Sequence, residues 1–75
     1  MIPYQRLLEA IKEKEFEFRD ESRRCRFYKK KGSTLRVSIR KLDEFSEEYS
    51  SHVLAEAGYS QDEIRKFVAR YSRTD

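Results

Sequence analysis

The sequence predicts an α+β domain: a helix, three strands and two helices, with the strands forming an antiparallel sheet covered on one face by a single layer of helices. Three observations predict it. Apolar residues recur at helical spacing near the start, three consecutive stretches then alternate apolar with polar residues, and helical spacing returns in the second half. At 75 residues the chain reads as one domain, 1–75. A domain of this size buries only roughly 60% of the surface of its unfolded chain, which argues against a large internal pocket.

In PYQRLLEAIKEK the residues Tyr4, Leu7, Leu8 and Ile11 fall at i, i+3, i+4 and i+7, the stripe of an amphipathic helix, and Pro3 suits its first turn. EFEFRDE switches to period two, placing Phe16 and Phe18 on one side and Glu17 and Arg19 on the other. In RRCRFYK the same rule turns Cys25 and Phe27 inward and Arg24, Arg26 and Tyr28 outward. In TLRVSIR it turns Leu35, Val37 and Ile39 inward. KKKGS between the last two strands supplies the glycine of a tight hairpin. SEEYSSHVLAEAG regains helical spacing through Tyr49, Val53, Leu54 and Ala57, with Gly58 placed to cap the helix. Ser60 and Glu63 then form a capping-box pattern, Tyr59 and Ile64 are spaced as a hydrophobic staple, and Ile64, Phe67, Val68 and Tyr71 make the last stripe. The expected core is Leu7, Leu8, Ile11, Phe16, Phe18, Phe27, Leu35, Val37, Ile39, Val53, Leu54, Ile64 and Phe67.

Composition excludes several classes. Charged residues make up 41% of the chain, yet five Phe and five Tyr are more than a disordered segment of this polarity carries. A single cysteine, Cys25, allows no internal disulfide, and one Cys with one His builds no structural zinc site, so no metal or cofactor is expected. The sequence has no apolar run of membrane-spanning length, and MIPYQRLLEA lacks the basic region and continuous apolar core of a signal peptide. A reducing cytoplasm is the expected location.

The net charge of +3 conceals a division. Arg19 to Lys41 holds ten basic residues against Asp20 and Glu21, a local +8, whereas the remainder has seven basic and twelve acidic residues. A concentrated basic patch attracts polyanions within a Debye length of about 8 to 10 Å. By parity the water-facing side of the sheet carries Arg19, Arg24, Arg26, Tyr28, Arg36, Ser38 and Arg40, with Lys30 among the lysines of the adjoining turn. Guanidinium grips phosphate bidentately and stacks on bases, and a tyrosine among arginines can stack on an unpaired base. The expected nucleic-acid contacts are therefore Arg19, Arg24, Arg26, Tyr28, Lys30, Arg36 and Arg40. The same surface also suits the acidic face of a protein partner, and a protein-interaction module is the alternative. No catalytic residue is expected: His52 lies off its helix's apolar stripe, and Cys25 reads as a small core residue. Asp43, Glu44, Glu47 and Glu48 read as the acidic start of a helix rather than a metal site.

The chain resembles the HicA-like toxins of toxin and antitoxin systems, whose fold is related to the double-stranded RNA-binding domain. The resemblance runs over roughly residues 4 to 68 and rests on LLEAIKEKEFEF leading from a helix into an aromatic strand, on FYKKKG and RVSIRK, and on HVLAEAGYSQDEI as a closing helix. Toxins of that family cut messenger RNA, and the resemblance implies a single-stranded or structured RNA substrate together with a partner protein, an antitoxin, that covers the active face. Members of that family usually place a Gly-Ser-His at the start of the second strand, with the histidine catalytic. The matching stretch here, DESRRCRF, keeps Ser22 and has arginine where the histidine would stand. Arginine stays protonated and stabilises phosphate charge without exchanging a proton, so the resemblance implies RNA binding without the family's catalysis. The double-stranded RNA-binding domain itself shares the helix, three strands, helix order. It grips phosphates with lysines at its final helix, where this chain has DEFSEEYS.

Overall fold

The structure, a computed structural model, describes residues 1–72. Its elements in chain order are β1 (Ile2–Pro3), α1 (Tyr4–Glu13), β2 (Phe16–Glu21), β3 (Cys25–Lys30), β4 (Arg36–Arg40), β5 (Glu44–Phe45), α2 (Glu47–Glu56) and α3 (Gln61–Tyr71). Strands β2, β3 and β4 form one antiparallel sheet in that order, so the α+β class and the helix, three strands, two helices order are as predicted. The addition is β1 with β5, which pair antiparallel through Ile2↔Phe45 and Pro3↔Glu44. Two-residue strands carry too short a pattern to be read in sequence. They nevertheless bury Ile2 and Phe45, and the Tyr4 N–H donates to the Asp43 carbonyl at 2.8 Å.

Gly58 and the Ser60–Glu63 box act where the sequence put them, and Ser46 adds a cap. Ser46 caps α2 by accepting the Tyr49 N–H at 3.1 Å, and Gly58 follows it in the left-handed region at φ +103°. Ser60 and Glu63 make both bonds of the capping box, which hold the Glu63 carboxyl below its ordinary pKa. Gly32, at φ +74°, lets the chain turn between β3 and β4, where the Ser33 N–H donates to the Lys30 carbonyl.

Side-chain parity is where structure and sequence part. In β4, Val37 and Ile39 point into the core as expected. The pairs Tyr28↔Val37 and Arg26↔Ile39 then put Tyr28 and Arg26 on that same inner face, and turn Cys25 and Phe27 outward. This corrects the expected parity of β3. Tyr28 is 2% exposed, and its hydroxyl hydrogen-bonds that of Tyr4 on α1. The Arg26 guanidinium lies over the Tyr4 ring, 5.0 Å from its centroid. A tyrosine satisfies a core through its ring provided its hydroxyl finds a partner, and α1 supplies one.

Two further core assignments are corrected. Phe18 shares the parity of Phe16 but sits on edge strand β2, 55% exposed, its ring edge-on to Tyr28; Leu35, just before β4, is 53% exposed. Between Phe18 and Asp20 the β2–β3 register slips at a bulge, so Asp20 faces Phe27 and Glu21 faces Arg26. The observed core joins Leu7, Ala10 and Ile11 of α1, Phe16, Tyr28, Val37 and Ile39 of the sheet, Val53 and Leu54 of α2, Ile64 of α3, and Ile2, Phe45 and Ala57. Leu8 and Phe67 pack against its margin.

The inverted parity sets a direct test. Tyr28→Ala should cost about 3 to 5 kcal/mol in denaturant unfolding, enough to unfold a domain this small, whereas Phe27→Ala should cost about 1 kcal/mol or less. The opposite ranking would restore the parity read from sequence.

Candidate functional site

Because all three helices pack on one side of the sheet, its other side meets water, and the register arranges that side in rows. Cys25 stands beside Arg40, Phe27 beside Ser38, and Lys29 beside Arg36. On β2, Glu17 extends the Lys29 row and Asp20 the Phe27 row. Rows lie about 7 Å apart, two strand residues each. A half-exposed Phe27 ring therefore has cations one row away on both sides, Arg40 toward one end of the sheet and Lys29 with Arg36 toward the other. Glu17 and Asp20 keep the positive charge to the β3–β4 half.

Two shallow hollows bracket the aromatic row. One is lined by Arg19, Asp20, Phe27, Tyr28, Lys29 and Arg36. The other, at the end of the sheet where β2 turns into β3, is lined by Arg23, Arg24, Cys25, Arg40, Lys41 and Leu42. The cations of this face are largely unpaired. Salt bridges elsewhere join Arg6 to Glu9, Arg65 to Asp62 and His52 to Glu56, and on this end Lys41 to Glu21 at 3.3 Å. Among the described residues, Arg19, Arg23, Arg24, Lys29, Arg36 and Arg40 make no salt bridge and no side-chain hydrogen bond.

Of the residues expected to form the site, Arg36 and Arg40 stand on the open face. Arg19, at the bulge, and Arg24, in the β2–β3 turn, are exposed at its margins and line the two hollows. Tyr28, Arg26 and Lys30 do not project onto that face, although Tyr28 also borders the hollow beside Lys29. They share the inner parity, with Tyr28 buried, Arg26 spread on Tyr4, and Lys30 half-exposed opposite Phe16. The sequence reading missed Phe27, Lys29, Arg23 and Lys41. Phe27 was hidden by its own hydrophobicity, which argued for the core.

The remaining chemistry-bearing groups are elsewhere. His52 is exposed on α2 with its Nε2 3.8 Å from Glu56, and α2 packs through Val53 and Leu54 against the inner face of the sheet. Among the described residues no group of three His, Cys, Asp or Glu is placed to hold a metal ion, and no helix is long and apolar enough to cross a membrane. No family model, curated protein or solved structure shows a significant match to this chain.

Two phenols beneath the sheet respond to burial. Burial first, then the Tyr4 hydroxyl, raises the Tyr28 phenol well above its ordinary value, against an opposing pull from Arg26. Burial and the Glu13 charge push Tyr59, which donates to the Ala10 carbonyl at 2.7 Å, up to about 12. Both protons are held more tightly in the folded state, so their contribution to stability is complete below pH ~10 and declines as pH rises and unfolded tyrosines ionise. Ultraviolet titration should find Tyr59 ionising near pH 12 and Tyr28 later still, with folding stability falling from pH ~10 upward. Ordinary tyrosine titration at both positions would contradict the packing described.

Proposed function

We propose that this chain is a small nucleic-acid-binding domain that uses the open face of its sheet to hold single strands, RNA in preference to DNA, in the cytoplasm. The observation that carries the reading is the Phe27 row: a solvent-facing aromatic with unpaired cations one row to either side. A base stacks on an aromatic ring whatever its sequence, while arginine and lysine hold the flanking phosphates. RNA comes first because strand recognition on a sheet with a stacking aromatic is a common mode of RNA binding, and because of the resemblance to HicA-like toxins. The chain binds without cutting. That part rests on the arginine in place of the strand-two histidine and on His52 lying on α2, whose helix packs against the opposite side of the sheet.

A second reading has its own support. Strand β4 is an edge: among the described residues no strand pairs its outer side, where the Arg40 N–H donates instead to the Tyr49 hydroxyl at 3.0 Å. By alternation the backbone groups of Arg36 and Ser38 point the same way. An acidic extended segment of a protein partner, an antitoxin for instance, would add a strand there and meet Arg36 and Arg40.

Binding of a short single-stranded RNA, followed by fluorescence anisotropy, decides between them. Arg36→Glu and Arg40→Glu should each weaken binding and flatten the slope of log K against log salt by about 0.7. Phe27→Ala should cost roughly 1 to 3 kcal/mol, while Lys12→Glu on α1 and Tyr28→Phe should change little. If the sheet-face variants all bind RNA as the parent does, the nucleic-acid reading fails and the acidic partner becomes the account of this face.

A further inference from the structure

We infer that the hollow at the β2–β3 end of the sheet is an anchor for a terminal phosphate, the phosphomonoester at the end of a bound strand. The inference rests on the nucleic-acid reading above and adds the polarity with which a strand lies on the face.

The two hollows differ in charge. The one beside Lys29 and Arg36 includes the Asp20 carboxylate among its lining residues. The one at the sheet end has four cations in its lining and no carboxylate: Arg23 and Arg24 from the turn, Arg40 from the end of β4, and Lys41 after it. Glu21 offsets only Lys41, at 3.3 Å, and the three arginines have no ionic partner among the described residues. A phosphodiester within a strand brings one negative charge. A terminal phosphomonoester brings about −1.5 to −2 at pH 7 and three acceptor oxygens. Three arginines from two separate segments line this hollow, and a guanidinium fork binds phosphate oxygens bidentately, so the lining suits the more highly charged group.

Position supports the same choice. Cys25 and Arg40 form the last row of the sheet, one row beyond Phe27; past them lie the turn from Ser22 through Arg23 and Arg24 and, leading away to β5, Lys41 and Leu42. A strand with its base on Phe27 therefore has room for one phosphate in this direction. In the other direction the face continues to the Lys29 and Arg36 row. The partly exposed Cys25 and the exposed Leu42 complete the lining of this solvent-open hollow.

The test compares three forms of one six-nucleotide single-stranded RNA with an internal fluorophore: 5′-phosphate, 3′-phosphate, and hydroxyl at both ends. One phosphorylated form should bind about 10- to 100-fold tighter than the hydroxyl form, the gain of hydrogen bonds to a charged group. Arg23→Ala with Arg24→Ala, two exposed side chains with no hydrogen bond or ion pair among the described residues, should remove that preference at unchanged melting temperature. Lys29→Ala and Phe27→Ala should weaken all three forms and leave the ratio intact. Equal binding of the three forms to the parent, with Phe27 still required, would overturn the anchor and leave the nucleic-acid reading standing. A preference that survives the double substitution would also overturn it. No binding of any form would remove both.

Discussion

The contact on which this molecule depends is the meeting of Tyr28 and Tyr4. Tyr28 is the inner residue of the central strand, and Tyr4 opens the helix that crosses beneath it. Their hydroxyls satisfy each other, so a phenol can occupy a place that otherwise demands an aliphatic side chain. Once Tyr28 is inside, the two-residue period of a strand leaves no freedom: Arg26 is inside with it, and Cys25, Phe27 and Lys29 are outside. The outer face owes its aromatic residue to this one choice. Arg26, carried inward beside it, finds the Tyr4 ring, where its charge remains at the margin and its planar head covers the aromatic surface.

Charge is divided along the same plane. Basic residues on the helical side are mostly engaged, Arg6 with Glu9 and with the Tyr71 ring, Lys14 with the Tyr59 ring, Arg65 with Asp62. Those on the open side and its end are not engaged among the described residues, apart from Lys41. Like charges on neighbouring strands repel, and a domain this small has little stability to spare. Unmatched cations on a solvated face cost least where water and salt screen them, and they are available to whatever anion arrives. The partly exposed Phe27 at their centre supplies an attraction that salt does not screen.

Much of this was legible in the sequence. The four-residue spacing of Leu7 and Ile11, the Ser60 cap and the glycine at 58 each encode a local backbone state, and local states are what a sequence states most plainly. The β3 parity was harder because two signals disagreed. The alternation of Cys25 and Phe27 pointed them inward, while the hairpin pointed the other way. With Val37 inward, the turn at Gly32 pairs Val37 with Tyr28, and a count across that turn puts Tyr28 inside. What no count reveals is the partner of the Tyr28 hydroxyl, because Tyr4 is far away in sequence and is brought there by packing. The β2 bulge and the β1–β5 pair were equally invisible, being features of one or two residues with no period to detect. The open face followed suit: Arg36 and Arg40, on the strand whose parity was read correctly, stand on it as expected, and the β3 residues that face outward are shifted by one.

The central claim is that the surface displaying Phe27 is the one that binds. It is tested most directly by amide chemical-shift mapping of the isotopically labelled protein during titration with a short single-stranded RNA. The account predicts that the perturbed amides concentrate at Phe27, Lys29, Arg36, Ser38 and Arg40 and continue into Arg23 and Arg24. Amides of the outer faces of α1 and α3 should remain still. Perturbations centred on the groove between α1 and α3, lined by Arg6, Tyr59, Lys66 and Arg70, or no perturbation at all, would contradict it.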